Sequence, residues 1–116
     1  MPTSRLRVAR DPALALIVRI FVGSVAERWD VSEAVRDDLR LAASELFTGA
    51  VQAGDGDLVT FEVASEGDEL ELRVEDVPSD GEEHPEEWPG RFEMVRALFP
   101  EAEIGDSVRI RVPVPA

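Results

Sequence analysis

The alternation of apolar and polar positions divides the chain into short elements. Arg5-Leu6-Arg7-Val8-Ala9 alternates with period two, which predicts a short strand at a sheet edge. Asp11 followed by Pro12 is a helix-start signal, an acceptor side chain and then a residue preset for the first turn. The helix it opens runs to about Trp29, with Leu14, Ile17, Val18, Phe21, Val25 and Trp29 as its core stripe. Leu16 and Ile20 add a second apolar line. That line is expected to be covered, by the next helix or by another copy of the chain, because soluble monomers limit exposed apolar patches. Ser32 caps a second helix with Glu33 in its first turn, and Val35, Leu39, Ala42, Leu46, Ala50 and Val51 form an inward stripe to about Gly54.

Beyond a turn at Asp55-Gly56-Asp57 the period returns to two. Val59, Phe61 and Val63 alternate with Leu58, Thr60 and Glu62, and Glu66-Gly67-Asp68 closes a hairpin. The return strand sets Leu70, Leu72 and Val74 inward against Glu69, Glu71, Arg73 and Glu75, so one sheet face is open to water. A polar loop follows from Val77 to Pro89, then a short helix over about Arg91 to Leu98 with Phe92, Val95 and Leu98 apolar, stopped by Pro100. A brief strand near Ala102 to Ile104 turns at Gly105-Asp106 into Val108, Ile110 and Val112, alternating with Arg109 and Arg111. Arg73, Arg109 and Arg111 are placed to pair with Glu62, Glu71 and Glu75 across strands. The order β-α-α-β-β-α-β-β predicts one α/β (α+β) two-layer sandwich spanning residues 1–116, a mixed, mostly antiparallel sheet with helices on one face.

Composition narrows the function. The formal charge is −13, and all twelve basic residues are arginine. Such a field disfavours nucleic acid and anionic lipid, which leaves protein partners. The longest apolar stretch, Ala13 to Val22, is broken by Arg19 and is about half the ~20 residues of a membrane span. Without cysteine, a disulfide framework or thiolate zinc site is excluded, and Met1 to Arg10 lacks the apolar core of a signal peptide. These features predict a cytoplasmic protein, and the Ala, Val and Arg usage is associated with a GC-rich bacterial genome.

Three stretches then carry a likeness: Ile17-Val18-Arg19-Ile20-Phe21-Val22, Asp37-Asp38-Leu39-Arg40-Leu41-Ala42-Ala43-Ser44-Glu45-Leu46, and Val74-Glu75-Asp76, extended by Gly90-Arg91 before Met94-Val95-Arg96-Ala97-Leu98. Together they resemble the anti-sigma regulatory factor and serine-protein kinase branch of the GHKL, or histidine-kinase-like, ATPases, and the second-helix segment is the specific part. The resemblance implies the histidine-kinase-like (Bergerat) fold. It also implies that Glu45 polarises the attacking group, that the position four residues later holds magnesium against ATP, that Asp76 reads adenine, and that Gly90 and Arg91 belong to the phosphate lid. Residues at i and i+4 share one helical face, so such a pair can converge on one ligand.

The chain departs from that pattern at several of these positions. The magnesium position is Gly49, which offers no side-chain oxygen, and the sequence contains no asparagine; Thr48 and Gln52 are the nearest oxygens. Gln52 and Ala53 stand where the family is usually basic or histidine. Asp76 is followed by Val77 and Pro78, where glycine would let the backbone approach the ring, and proline removes an N–H. Gly90-Arg91-Phe92-Glu93 lacks the second glycine of the lid. Between Arg73 and Arg91 there is no arginine, while Glu75, Asp76, Asp80, Glu82, Glu83, Glu86 and Glu87 accumulate. That run reads as a solvated loop or as a dock for a basic partner. His84 has no nucleophile constellation around it, and Trp88 reads as an anchor of the loop on the core.

The expectation is therefore a regulatory protein-binding module with a vestigial ATP site at Glu45, Gly49, Asp76, Gly90 and Arg91. No cofactor and no metal are expected, and no catalytic residue unless Glu45 acts as one; Glu45 could equally pair with an arginine. Its partner would be a sigma factor or an antagonist protein, or a second copy. The alternative is an active serine-protein kinase using ATP with magnesium. Restoring asparagine by Gly49→Asn is expected to fit the helix, even to stabilise it, and to leave the chain without activity.

Overall fold

In the computed structural model the described residues are 3–53, 58–75, 89–105 and 107–115, with side chains described at all of these except 53 and 89–92. The turn expected at Asp55-Gly56-Asp57 lies outside them, as do residues 76–88, including Asp76, His84 and Trp88. The elements are β1 (Thr3–Ala9), a 3-10 turn (Pro12–Leu14), α1 (Ala15–Arg28), α2 (Glu33–Ala53), β2 (Leu58–Glu66), β3 (Glu69–Glu75), α3 (Pro89–Leu98), β4 (Glu103–Ile104) and β5 (Ser107–Pro113). Their order is the one the periodicity predicts. Gly90 and Arg91 fall inside the first turn of α3, not ahead of it.

Local chemistry accounts for the joints. The Asp11 carboxylate accepts from the Ala13 N–H at 2.9 Å, and its cap opens the 3-10 turn that feeds α1. At the far end of α1 the Asp30 N–H donates to the Glu27 carbonyl and the Val31 N–H to the Ala26 carbonyl, with Asp30 at φ 59°. This is the paired C-terminal closure that usually uses glycine; Val31, buried beneath it, supplies the accompanying apolar contact. The Ser32 Oγ accepts from the Val35 N–H at 3.4 Å and starts α2. Between β2 and β3 only Gly67 of the two turn residues has positive φ, 63°, the pattern of a type II′ hairpin.

Among the described residues five strands lie in the order β1-β2-β3-β5-β4, and all four pairings are antiparallel, so the sheet they form is not mixed. Each connection between neighbours is a hairpin or passes through helices that return the chain antiparallel. Register places Leu6, Phe61, Val74 and Val108 in one row and Val63, Leu72 and Ile110 in the next, all on the face that the helices cover. α2 presses Leu39, Ala42, Ala43, Leu46, Phe47 and Ala50 into this layer, and the rings of Phe47 and Phe61 meet at 6.2 Å.

The core stripe of α1 differs from expectation. Val18, Val22 and Ala26 are buried, while Ile17 is 47% exposed. Leu16 and Ile20 are 59% and 57% exposed, so α2 does not cover them. A helix apolar on most of its circumference does not reveal its buried face in its sequence; here that face is Val18, Val22, Gly23 and Ala26. Gly23 is buried beside α2, and a Cβ there would run into the Arg40 guanidinium. The Arg40 side chain thus crosses α1 over Gly23, held by its 2.7 Å bond to Asp37.

The open sheet face pairs only partly as expected: Arg111 and Arg73 both reach Glu71, while Glu62 and Glu75 take neither. Glu62 is taken by Arg5, directly opposite on β1, at 2.6 Å. Arg111 holds Glu71 at 3.0 Å and Glu103 at 2.7 Å. Among the described residues Glu75 enters no ion pair. Thr60, outward by register between Arg7 and Glu75, is nonetheless only 7% exposed. The Arg111 hydrogen bond and charge hold the Glu103 carboxyl below its usual range. A carboxyl depressed in the fold adds stability above its unfolded value and loses it as pH falls through the folded one. Glu103→Gln is therefore expected to flatten, slightly, the acid limb of a pH–stability curve followed by urea denaturation.

Candidate functional site

α2 builds the candidate site because its length lets one helix serve two faces. Its buried stripe fixes rotation about the axis, and that rotation sets Glu45 and Gly49 one turn apart on a flank beside the core residues Leu46 and Ala50. Glu45 is half-buried and Gly49 fully buried. Among the described residues the Glu45 carboxylate makes no hydrogen bond or ion pair, so the arginine partner allowed for it is absent there. Thr48 and Gln52, the nearest side-chain oxygens, are exposed. α3 packs against α2, which brings the helix carrying Gly90 and Arg91 alongside the one carrying Glu45.

The end of α2 has a feature that sequence reasoning missed. The Arg10 guanidinium, arriving from the end of β1, donates to the Ala50 carbonyl in the last turn. The last turn of α2 has no basic residue of its own. Arg10 supplies the favourable cation at the negative end of the helix dipole from another element. No spacing rule could have found it, since the two residues are 40 apart in sequence.

Of the five residues implied by resemblance, the structure therefore brings Glu45 and Gly49 onto one helical flank and places Gly90 and Arg91 in the first turn of α3; Asp76 lies outside the described residues. At the Glu45–Gly49 flank of α2 the donor set is one carboxylate, with no side-chain oxygen at Gly49. Among the described residues no three carboxylate, imidazole or thiol groups gather as a metal site.

A five-stranded antiparallel sheet with a long second helix lying against it, and a third helix inserted before the last hairpin, is the arrangement that the sequence motifs imply. The family model of the histidine kinase-like ATPase domain matches residues 8–105. The chain belongs to the histidine kinase-like ATPase family. No curated protein matches it. The matched span of this histidine kinase-like ATPase domain takes in α1, α2, α3 and the strands from β2 to β4, and stops before β5. β5 nonetheless pairs with both β3 and β4, and so joins β4 to the rest of the sheet. No described helix is long and apolar enough to cross a membrane.

Proposed function

We propose that this chain is a regulatory protein-binding module resembling an anti-sigma factor, in which ATP binding is lost or weak. The observation that carries the reading is the apolar surface of α1. Leu16, Ile17 and Ile20 stand together at 47–59% exposure on one helix. Leu16 and Ile20 border a shallow hollow of about 290 Å³ with Arg19, Ser24, Glu27 and Arg40. Three large aliphatic side chains on adjacent turns, rimmed by charge, fit a surface that another protein covers. By resemblance that partner is a sigma factor or an antagonist protein; a second copy of the chain is the other occupant. Gly49 supports the loss of nucleotide, because a magnesium ion held against ATP needs oxygen ligands and this position has none.

Two measurements test the two halves of the proposal. ATP with magnesium at millimolar concentration should leave the melting temperature unchanged, whereas occupancy at 100 times the dissociation constant would add about 2.7 kcal/mol. A rise of several degrees with ATP and none with AMP would overturn the loss of nucleotide binding. Leu16→Asp with Ile20→Asp should abolish association with the partner, or self-association seen by sedimentation. The double variant should leave the melting temperature within a few degrees of wild type, because exposed positions usually contribute within about 0.5 kcal/mol each. Unchanged association in the double variant removes α1 as the interface.

One observation favours the active kinase as the second reading. The half-buried Glu45 carboxylate without a partner among the described residues is available as a general base. Retention of phosphoryl transfer to an antagonist protein, lost in Glu45→Ala, would establish it.

A further inference from the structure

The open face of the sheet sets two arginines against each other. β3 and β5 pair in a register that places Arg73 directly opposite Arg109. Both point away from the helices, since their neighbours Leu72, Val74, Val108 and Ile110 are buried on the other face. Like charges in directly opposed positions of an antiparallel pair repel, with Cβ atoms only about 5 Å apart. Ordinarily a carboxylate beside them relieves this.

Three of the four nearby carboxylates are engaged elsewhere, and the fourth, Glu75, two residues along β3 and opposite Ser107, makes no ion pair with either arginine among the described residues. Glu62, opposite Arg73 on β2, is held by Arg5 at 2.6 Å. Glu103, opposite Arg109 on β4, is held by Arg111 at 2.7 Å. Glu71 is shared, at 3.0 Å from Arg111 and a long 3.4 Å from Arg73. That single long contact uses a terminal nitrogen of Arg73, and its Nε is buried without any hydrogen-bond partner. Among the described residues Arg109 forms no ion pair. It borders a shallow hollow of about 360 Å³ with Glu103, Ile104, Gly105 and Ser107.

We propose that Arg73 and Arg109 form an oxyanion site on the open sheet face, away from α2, taking a phosphate group or a carboxylate between the two guanidinium groups. A guanidinium offers parallel N–H donors that match two oxygens of either group, and an anion between two such forks turns their repulsion into attraction. The site does not depend on nucleotide binding at α2 and stands or falls separately from the function proposed above. The chain's charge of −13 resists anions at long range, so the site is selective for an anion that is presented locally.

Arginine Nε–Hε resonances of the full chain, labelled with nitrogen-15, report directly on the orphaned donor. Titration with inorganic phosphate, against sodium chloride of equal ionic strength, should shift the Arg73 signal saturably in phosphate alone. A parallel titration with an acetylated Gly-Glu-Gly-Glu amide identifies the source. Saturation by phosphate only assigns a phosphate group, by the peptide only a carboxylate, and by both the shared chemistry. Arg109→Gln should abolish the saturable shift, and Arg28→Gln, on the exposed side of α1, should retain it. Without any anion, Arg109→Gln should also raise the melting temperature by about 2 °C, since a like-charge pair is relieved. The proposal is overturned by equal shifts in chloride, by no shift with either ligand, or by a shift that survives Arg109→Gln.

Discussion

Phe47→Ala is expected to destabilise the domain by about 3–5 kcal/mol, the range for removing a large aromatic from a close-packed core. Phe47 is 1% exposed and meets Phe61, itself fully buried, with ring centroids 6.2 Å apart and planes tilted by 52°. Tilted aromatic pairs contribute roughly 0.5–1.5 kcal/mol beyond the area they bury. The contact also joins layers, because Phe47 is on α2 and Phe61 on β2. Loss of one ring leaves a cavity at the junction of helix and sheet that rigid backbone elements cannot close. For a domain of this length the loss corresponds to about 12–20 °C in melting temperature, a large part of the roughly 5–15 kcal/mol of total stability. Thermal and urea denaturation check it. Phe47→Leu, which refills much of the volume, should lose less than half as much; equal losses in the two variants would show that ring packing is not the source.

Gly49→Asn should destabilise by about 1–2 kcal/mol and create no phosphoryl transfer. The helix itself favours the change, since asparagine is a slightly better helix former than glycine, by a few tenths of a kcal/mol. Burial opposes it. Gly49 is buried on the flank of α2 beside the half-buried Glu45, and burying an amide there costs roughly 1–3 kcal/mol unless it finds hydrogen-bond partners. Burial at this position therefore predicts a sign opposite to the stabilisation expected from helix propensity alone. On the proposed reading activity should be absent in wild type and variant alike, because one magnesium oxygen restores neither the phosphate contacts that the family resemblance implies at Gln52 and Ala53 nor the backbone freedom that a glycine in place of Pro78 would give. Phosphoryl transfer needs positioning and charge neutralisation together. Urea denaturation reads the first effect, and a radiolabelled transfer assay with candidate antagonist proteins reads the second. Turnover clearly above wild type and above a Glu45→Ala control would falsify the reading of a broadly decayed site.

The chain's apolar periodicity determined a good deal without further help. The β-α-α-β-β-α-β-β order and the inward positions of β2, β3 and β5 follow from alternation, because a strand with one wet face must segregate its side chains at period two. The caps at Asp11 and Ser32 are equally local, since each hydrogen bond spans two or three residues. The pairing of Glu45 with Gly49 on one helical flank needs only the pitch of an α-helix. The membership of the family was legible in the motif of α2 for the same reason: its spacing records a helical face.

Tertiary structure alone decided the rest. α1 is apolar on most of its circumference, so periodicity could not separate a buried Val18, Val22 and Ala26 from an exposed Leu16, Ile17 and Ile20. Gly23 lies on the buried face as well, where Arg40 leaves no room for a Cβ. Of the ion pairs, sequence found Glu71 as a partner of Arg111 and Arg73, but the rest were beyond it, because which arginine reaches which glutamate depends on strand register. Sequence proposed Glu62 for the arginines of β3 and β5; register gave it to Arg5 on β1 and left Arg73 facing Arg109. Arg10 on the Ala50 carbonyl spans 40 residues. Local pattern can say which side chains seek a partner, but only the packed chain determines which partners come within reach.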